Sequence, residues 1–275
     1  MNQVTKNVYV ETGYRGCNPG FVVTSEGVVM IDTPQIPRDA LAYREIVLKY
    51  GKPVYLINTE PHGDHFTGNF FFDTAICIAQ QGTRDAIMKT QLDALKERIK
   101  LMDPGFEPQL GSYRIKLPTV TFSQSMRLYV GDHTFELIHL PGHTASETAV
   151  FIPEERAIFA GDNIFNRVQT FLHEALPKEW LKSLKTLKTF DADHYIPGHG
   201  EVCTKAYLKK QASFIKEWIA AIKEAIQKGW SLEEAQQRIS FLARFPMGQG
   251  LEAFGPELQK MNVARLYALA VDGRL

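Results

Sequence analysis

The chain has 275 residues, 31 basic and 31 acidic side chains, and 44% hydrophobic content. Balanced charge gives no electrostatic reason to expect a nucleic acid or an anionic membrane as partner, and the apolar fraction can fill one large domain or two small ones. Cys17, Cys77 and Cys203 are odd in number, far apart and form no C-x-x-C pair, which argues against a disulfide framework or a thiolate zinc site and fits a reducing compartment. No apolar run is long enough to span a bilayer, and Met1 to Gly13 lacks a basic segment followed by an apolar one, so the expectation is a soluble, cytoplasmic protein.

Taken in order, Asn7–Val10, Gly20–Val23 and Gly27–Ile31 read as strands, and the third stops at Asp32-Thr33-Pro34. Helical spacing of Leu41, Ile46 and Leu48 predicts a helix over Arg38–Tyr50, closed by Gly51. Strand Val54–Ile57 follows, then a short apolar helical turn at Thr67–Phe72, a strand at Ala75–Ala79 and one long helix over Thr83–Met102. After a loop from Phe106 to Pro118, strands are expected at Thr119–Phe122, Met126–Val130 and Thr134–Leu140, the last two joined by a turn at Gly131-Asp132-His133. Thr148–Ile152 and Ala157–Ala160 are two more strands, and a loop from Asn163 to Pro177 leads to a helix ending near Phe190. Beyond strand Tyr195–Ile196 the chain is mainly helical, over Lys205–Lys228, Leu232–Ala243 behind the capping pattern Ser231-x-x-Glu234, and Pro256–Ala270.

The segment Asn58-Thr59-Glu60-Pro61-His62-Gly63-Asp64-His65 places two imidazoles and two carboxylates within six residues at the exit of a strand. Mixed nitrogen and oxygen donors at that density point to a divalent metal, the bland alternative being a polar loop that solvates a strand end. Three further apolar strands end in a polar residue framed by glycine: His143 in P-G-H-T, Asp162 in A-G-D-N and His199 in P-G-H-G. A polar residue just past a strand end, beside a glycine that frees the backbone, is where sheet proteins collect functional groups. Glu60, His62, Asp64, His65, His143, Asp162 and His199 make seven potential donors, enough for two ions.

With these residues the chain resembles the metallo-β-lactamase superfamily, whose signature is H-x-H-x-D-H followed by a separated His, Asp and His and preceded by an Asp at an early strand end. The resemblance spans about residues 7 to 202 and implies an αββα sandwich of two mixed sheets flanked by helices. A domain over 1–204 is then followed by a helical extension over 205–275. It implies further that His62, His143 and the residue at Glu60 hold one ion, that Asp64, His65 and His199 hold the other, and that Asp162 bridges them. Asp32 becomes a residue that orients a ligand without binding metal. Glu60 stands where the pattern has its first His, which adds a negative charge: two zinc ions are the expected cofactors, with iron or manganese as alternatives on the Glu60 side. The alternative is that Glu60 turns away and a single ion binds at the Asp64 group.

The chemistry implied is hydrolysis of an ester, lactone, thioester, amide or phosphodiester bond in a small-molecule substrate, with hydroxide held between two metals as nucleophile and Asp64 orienting it. Competing readings are a β-lactamase with a variant motif, an iron-dependent oxidoreductase, and a non-catalytic binding protein on the same fold. Substrate contacts are expected from Tyr14, Arg15, Pro34 to Arg38 and Asn163 to His173, although Tyr14 and Phe165 also suit packing and Arg15 a surface charge. His133 is expected at a solvent-exposed turn, His139 and His194 in structural roles, and His173 beside the site. The tail, with Trp218, Trp230, Phe241, Phe245 and Phe254, is expected to cap the fold, to form a lid, or to make a homodimer surface.

Overall fold

Alternation along the strands decides the architecture. In strand Gly27–Ile31, Val29 and Ile31 point to one side and Val28 and Met30 to the other, and all four are buried. A strand apolar on both faces needs a layer on each side. The computed structural model, covering residues 1–275, supplies both.

The first sheet has seven strands in sequential order: β1 (Asn2–Gln3), β2 (Val8–Val10), β3 (Gly20–Thr24), β4 (Gly27–Ile31), β5 (Pro53–Asn58), β6 (Ile76–Gln80) and β7 (Val120–Phe122). Pairing is antiparallel from β1 to β4 and parallel from β4 to β7. The second sheet joins β8 (Ser125–Val130), β9 (His133–His139), β10 (Thr148–Ile152) and β11 (Ala157–Phe159) antiparallel, with β13 (His194–Ile196) added parallel to β11. A two-stranded parallel patch pairs β12 (Phe165–Asn166) with β14 (His199–Gly200).

Between the sheets, Ile31, Ile57 and Ile78 meet Phe135, Val150 and Phe159 in one cluster. Full burial of a side chain of this size contributes about 1.5–3 kcal/mol. Behind the first sheet, α1 (Pro37–Tyr50) packs Tyr43 and Val47 on Met30 and Leu56. Behind the second, Phe151 and Tyr195 meet Trp180 of α5 (Pro177–Leu187), Trp218 of α6 (Tyr207–Gln227) and Leu266 of α8 (Gly255–Val271). The result is the αββα sandwich that the family resemblance implies, with two mixed sheets inside and helices outside.

Several boundaries differ from expectation. The stretch Thr83–Met102 is two helices, α3 (Gln81–Ile87) and α4 (Leu92–Met102), with Gln91 extended at ψ 111°. Met88, Lys89 and Thr90 bury nothing against the core, so no packing offsets the poor helix propensity of Thr90, while Leu95 and Ile99 re-enter the core on a new axis. The capping box at Ser231 and Glu234 forms, but α7 (Leu232–Arg238) stops short of Ala243, because buried Ile239 turns extended and the Phe241 amide donates to the Gln259 side chain at 2.7 Å. The predicted loop from Asn163 hides β12, too short to leave a periodic signal.

Candidate metal centre

Each candidate donor follows the end of a strand of the sandwich. β4 leads into Asp32, β5 into Glu60 and the short helix α2 (Gly63–Phe66) that carries Asp64 and His65, β9 into His143, β11 into Asp162 and β13 into His199. Asp32 has φ +55°, a left-handed conformation in which Asp is enriched. There its carboxylate accepts from the Thr59 amide at 2.8 Å, the Thr59 hydroxyl at 2.6 Å and His65 Nδ1 at 2.9 Å. With Nδ1 held by Asp32, His65 turns its Nε2 inward.

His65 Nε2 lies 3.2 Å from Glu60 Oε1 and 3.3 Å from Asp162 Oδ1. The other Asp162 oxygen lies 3.2 Å from His199 Nε2 and 3.6 Å from His143 Nε2. His199 Nε2 is also 3.3 Å from Asp64 Oδ2. On the other side, Glu60 Oε2 is 2.8 Å from His62 Nδ1, which in turn stands 3.2 Å from His143 Nε2. The His143 ring is oriented from behind, its Nδ1–H donating to the Phe171 carbonyl at 2.8 Å. The seven predicted side chains therefore converge, and Glu60, with no exposed surface, turns into the cluster.

Glycine makes the convergence sterically feasible. A Cβ added to Gly198 would stand 1.8 Å from Asp162 Oδ1, inside any allowed contact, so the loop before His199 approaches Asp162 only because residue 198 has no side chain.

The side chains alone leave the centre strongly polarised. Burial opposes ionisation of Asp162 and Asp64, but the imidazoles of His199 and His65 outweigh it and hold both carboxyls well below the usual range. Burial likewise opposes protonation of His199, yet Asp162 and Asp64 push it up to about 10. Burial pushes His143 down to about 3. Burial also raises Glu60, against the pull of His62 and His65. Protons shared among imidazoles and carboxylates in a buried cluster occupy the positions that cations would take, and metal binding displaces such protons.

The residues fit a metal. Glu60 Oε2, His62 Nε2, His65 Nε2 and Asp162 Oδ1 are buried without a hydrogen-bond partner, a rare condition for polar atoms. Donor atoms of Glu60, His62 and His143 lie within 4.8 Å of one another, as do those of Asp64, His65 and His199, and those of Glu60, His65 and Asp162. Imidazole nitrogen with carboxylate oxygen suits borderline and hard divalent ions.

Other sequence expectations divide. His173 stands beside the donors, its ring 5.2 Å from that of His62, and lines the pocket above them. Tyr14 packs edge-on against Tyr43. Phe165 is a packing residue with a second consequence, since its ring stacks on His199 at 5.2 Å and 2°. His139 donates to the Ala145 carbonyl at 2.8 Å, away from the donors. His133 is not exposed: only 4% of its surface is accessible, because the turn packs it between Asp132 and Glu155.

Two acidic residues escaped the sequence reading. Glu147 is wholly buried, both its oxygens lack partners, and burial holds its carboxyl well above the usual range. Glu174 Oε1 faces His62 Nε2 at 3.6 Å, and that imidazole pulls its carboxyl down to about 2. Neither belongs to a motif; proximity in sequence to His143 and His173 was the only signal available.

A mixed-sheet αββα sandwich with a His and carboxylate cluster at its strand ends defines a metal-centre fold class. The metallo-beta-lactamase superfamily model matches residues 12–199, and the chain belongs to that superfamily. It is 26% identical over 219 residues to a beta-lactamase-like protein 2 homolog of Caenorhabditis elegans, covering 76% of this chain and 66% of that protein. It is 28% identical over 142 residues to a hydroxyacylglutathione hydrolase of Mesorhizobium japonicum, covering 51% of this chain and 45% of that one. The chain thus spans between about half and two thirds of the length of these curated relatives. A metallo-beta-lactamase family protein from Thermus thermophilus shares the fold with a TM-score of 0.69 and 17% identity, over 98% of this chain and 95% of that one. No helix is long and apolar enough to cross a membrane.

Proposed function

We propose that the protein is a metal-dependent hydrolase with a dinuclear centre, in which Glu60, His62 and His143 hold one divalent ion, Asp64, His65 and His199 hold a second, and Asp162 lies between them. The observation that carries this reading is Asp162 itself, one oxygen 3.3 Å from His65 Nε2 and the other 3.2 Å from His199 Nε2 and 3.6 Å from His143 Nε2. Zinc is the proposed metal, with iron or manganese as alternatives on the Glu60 side, where an extra carboxylate favours a harder ion.

Divalent ions at these groups supply the Lewis acidity that makes water nucleophilic near neutral pH and polarises a scissile carbonyl or phosphoryl oxygen. The chain's own residues arrange the reactants. Asp64, a carboxylate beside His65 and His199, would accept a hydrogen bond from the attacking water and orient it. Asp32 and the Phe171 carbonyl each accept a hydrogen bond from an Nδ1–H, so that His65 and His143 offer Nε2 to the centre. Phe165 fixes the plane of the His199 ring by stacking. Phe171, Leu251 and Phe254 give the pocket beside the donors an apolar lining.

Elemental analysis and an ester, lactone, thioester, amide, phosphodiester and β-lactam panel on one preparation test the proposal. The expected result is two ions per chain and turnover of at least one carbonyl or phosphoryl class. One ion per chain at saturation overturns the dinuclear reading, and a loaded protein inert to the whole panel overturns the hydrolase reading.

A further inference from the structure

The pocket above the donors has a volume of about 390 Å³, and two arginines, Arg15 and Arg98, line it. Neither guanidinium has a carboxylate within 4.0 Å, unlike the ion-paired Arg127, Arg156 and Arg244, and neither has its charge spent on backbone carbonyls alone, as Arg84 and Arg265 do. The two are linked through one neutral side chain: Arg98 Nη2 donates to Gln35 Oε1 at 3.0 Å, and Gln35 Nε2 donates to the Arg15 carbonyl at 3.1 Å. Arg15 Nε is buried and has no hydrogen-bond partner.

The backbone is shaped to bring Arg15 there. Gly16 has φ +105°, and a Cβ on it would stand 2.6 Å from Gln35 Nε2 and 2.9 Å from Asp64 Cβ, so this loop lies directly against the donor segment. From the other side the Arg15 stem rests on Gly250, 3.2 Å from where a Cβ would sit. That contact places it next to the apolar residues Leu251, Phe254 and Met261, which the tail adds to the same pocket.

We propose that Arg15 and Arg98 form an anion clamp, and that the substrate is an amphiphilic anion: a hydrolysable bond at the donors, a short apolar segment against Leu251, Phe254 and Met261, and a terminal anionic group between the guanidiniums. Guanidinium presents paired N–H donors that match carboxylate, sulfate and phosphate oxygens, and a guanidinium without a carboxylate partner gains a charge-assisted hydrogen bond when such a group arrives. Gln35 ties the Arg98 guanidinium to the Arg15 backbone without cancelling the charge of either arginine. The competing explanation is that the arginines merely offset the negative charge of Glu60, Asp64 and Asp162.

The test uses metal-loaded protein and chain-matched nitrophenyl esters ending in methyl, carboxylate, sulfonate or phosphonate. One charged ester is expected to exceed the methyl-ended one in kcat/KM, through KM, and that ratio is expected to fall about ten- to a hundredfold in Arg98→Gln and Arg15→Gln, with partial recovery in Arg98→Lys. Which end group gives the largest ratio identifies the anion. A ratio near one in the wild type, or a parallel loss of charged and neutral turnover together with metal in the variants, overturns the clamp. The turnover arm rests on the hydrolase reading, so calorimetric titration with hexanesulfonate, a weak metal ligand, and with hexanol runs beside it. Sulfonate binding that Arg98→Gln abolishes upholds the clamp even if no ester is cleaved; equal binding of sulfonate and alcohol overturns it.

Discussion

Glu60 Oε2 stands 2.8 Å from His62 Nδ1, in a cluster that also holds His143 Nε2, so the carboxylate faces the other candidate donors and not solvent. Replacing its charge should therefore act on the metal before it acts on the fold. Glu60→Gln is expected to lower metal content on that side while Asp64, His65 and His199 keep theirs, and Glu60→His to shift preference toward zinc. Competitive loading with zinc and manganese, followed by elemental analysis, checks this; unchanged content and preference in both variants would refute it.

Gly198→Ala introduces one methyl group where Asp162 Oδ1 leaves 1.8 Å. Asp162 or the loop before His199 has to move, and a misplacement of about 1 Å at a reacting centre can cost about a hundredfold in rate. The expected variant has weakened metal binding and at least that loss in kcat. A Gly198→Ala protein with wild-type metal stoichiometry and rate would show that the contact relaxes at no cost.

Glu147 has no exposed surface and no partner for either oxygen, and burial holds its carboxyl well above the usual carboxylate range. Glu147→Gln preserves the shape and removes a group that cannot ionise there without a large penalty. Thermal unfolding is expected to be unchanged or raised, whereas Glu147→Ala opens a cavity and lowers stability by about 1–3 kcal/mol. A large drop in melting temperature for Glu147→Gln would mean that the carboxylate form is the one the fold needs.

His133 supplies a pH dependence remote from the centre. Burial depresses its pKa, but hydrogen bonds to the Glu155 and Asp132 carboxylates outweigh burial and leave it raised. Protonated His133 thus stabilises the fold fully below the ordinary imidazole value of about 6.5, and this contribution is lost as pH rises through the raised folded value. Hydrogen bonds to charged groups contribute about 1.5–3 kcal/mol. His133→Gln is expected to destabilise the protein by about that amount at pH 6 and by much less at pH 9. Equal losses at both pH values, measured by denaturant unfolding, would exclude the charge.

Local pattern carried the strands and the donors. Continuous apolar runs such as Gly27–Ile31 report two buried faces, and P-G-H or A-G-D at a strand end reports a tight backbone carrying a polar group; both are written within a few residues of the chain. The sequence by itself therefore determined that buried strands form and that Glu60, His62, Asp64, His65, His143, Asp162 and His199 follow strand ends, while the αββα sandwich came from the family resemblance those residues carry. Only the tertiary structure decided what surrounds them. The order of the sheets sets Arg98 beside Gln35 and Arg15, buries Glu147 without partners, turns His133 from a loop tip into an ion-paired core residue, and lays Phe165 on His199. Such contacts join segments far apart in the chain, and no periodicity records them, because they depend on how whole layers pack and not on how any one segment folds.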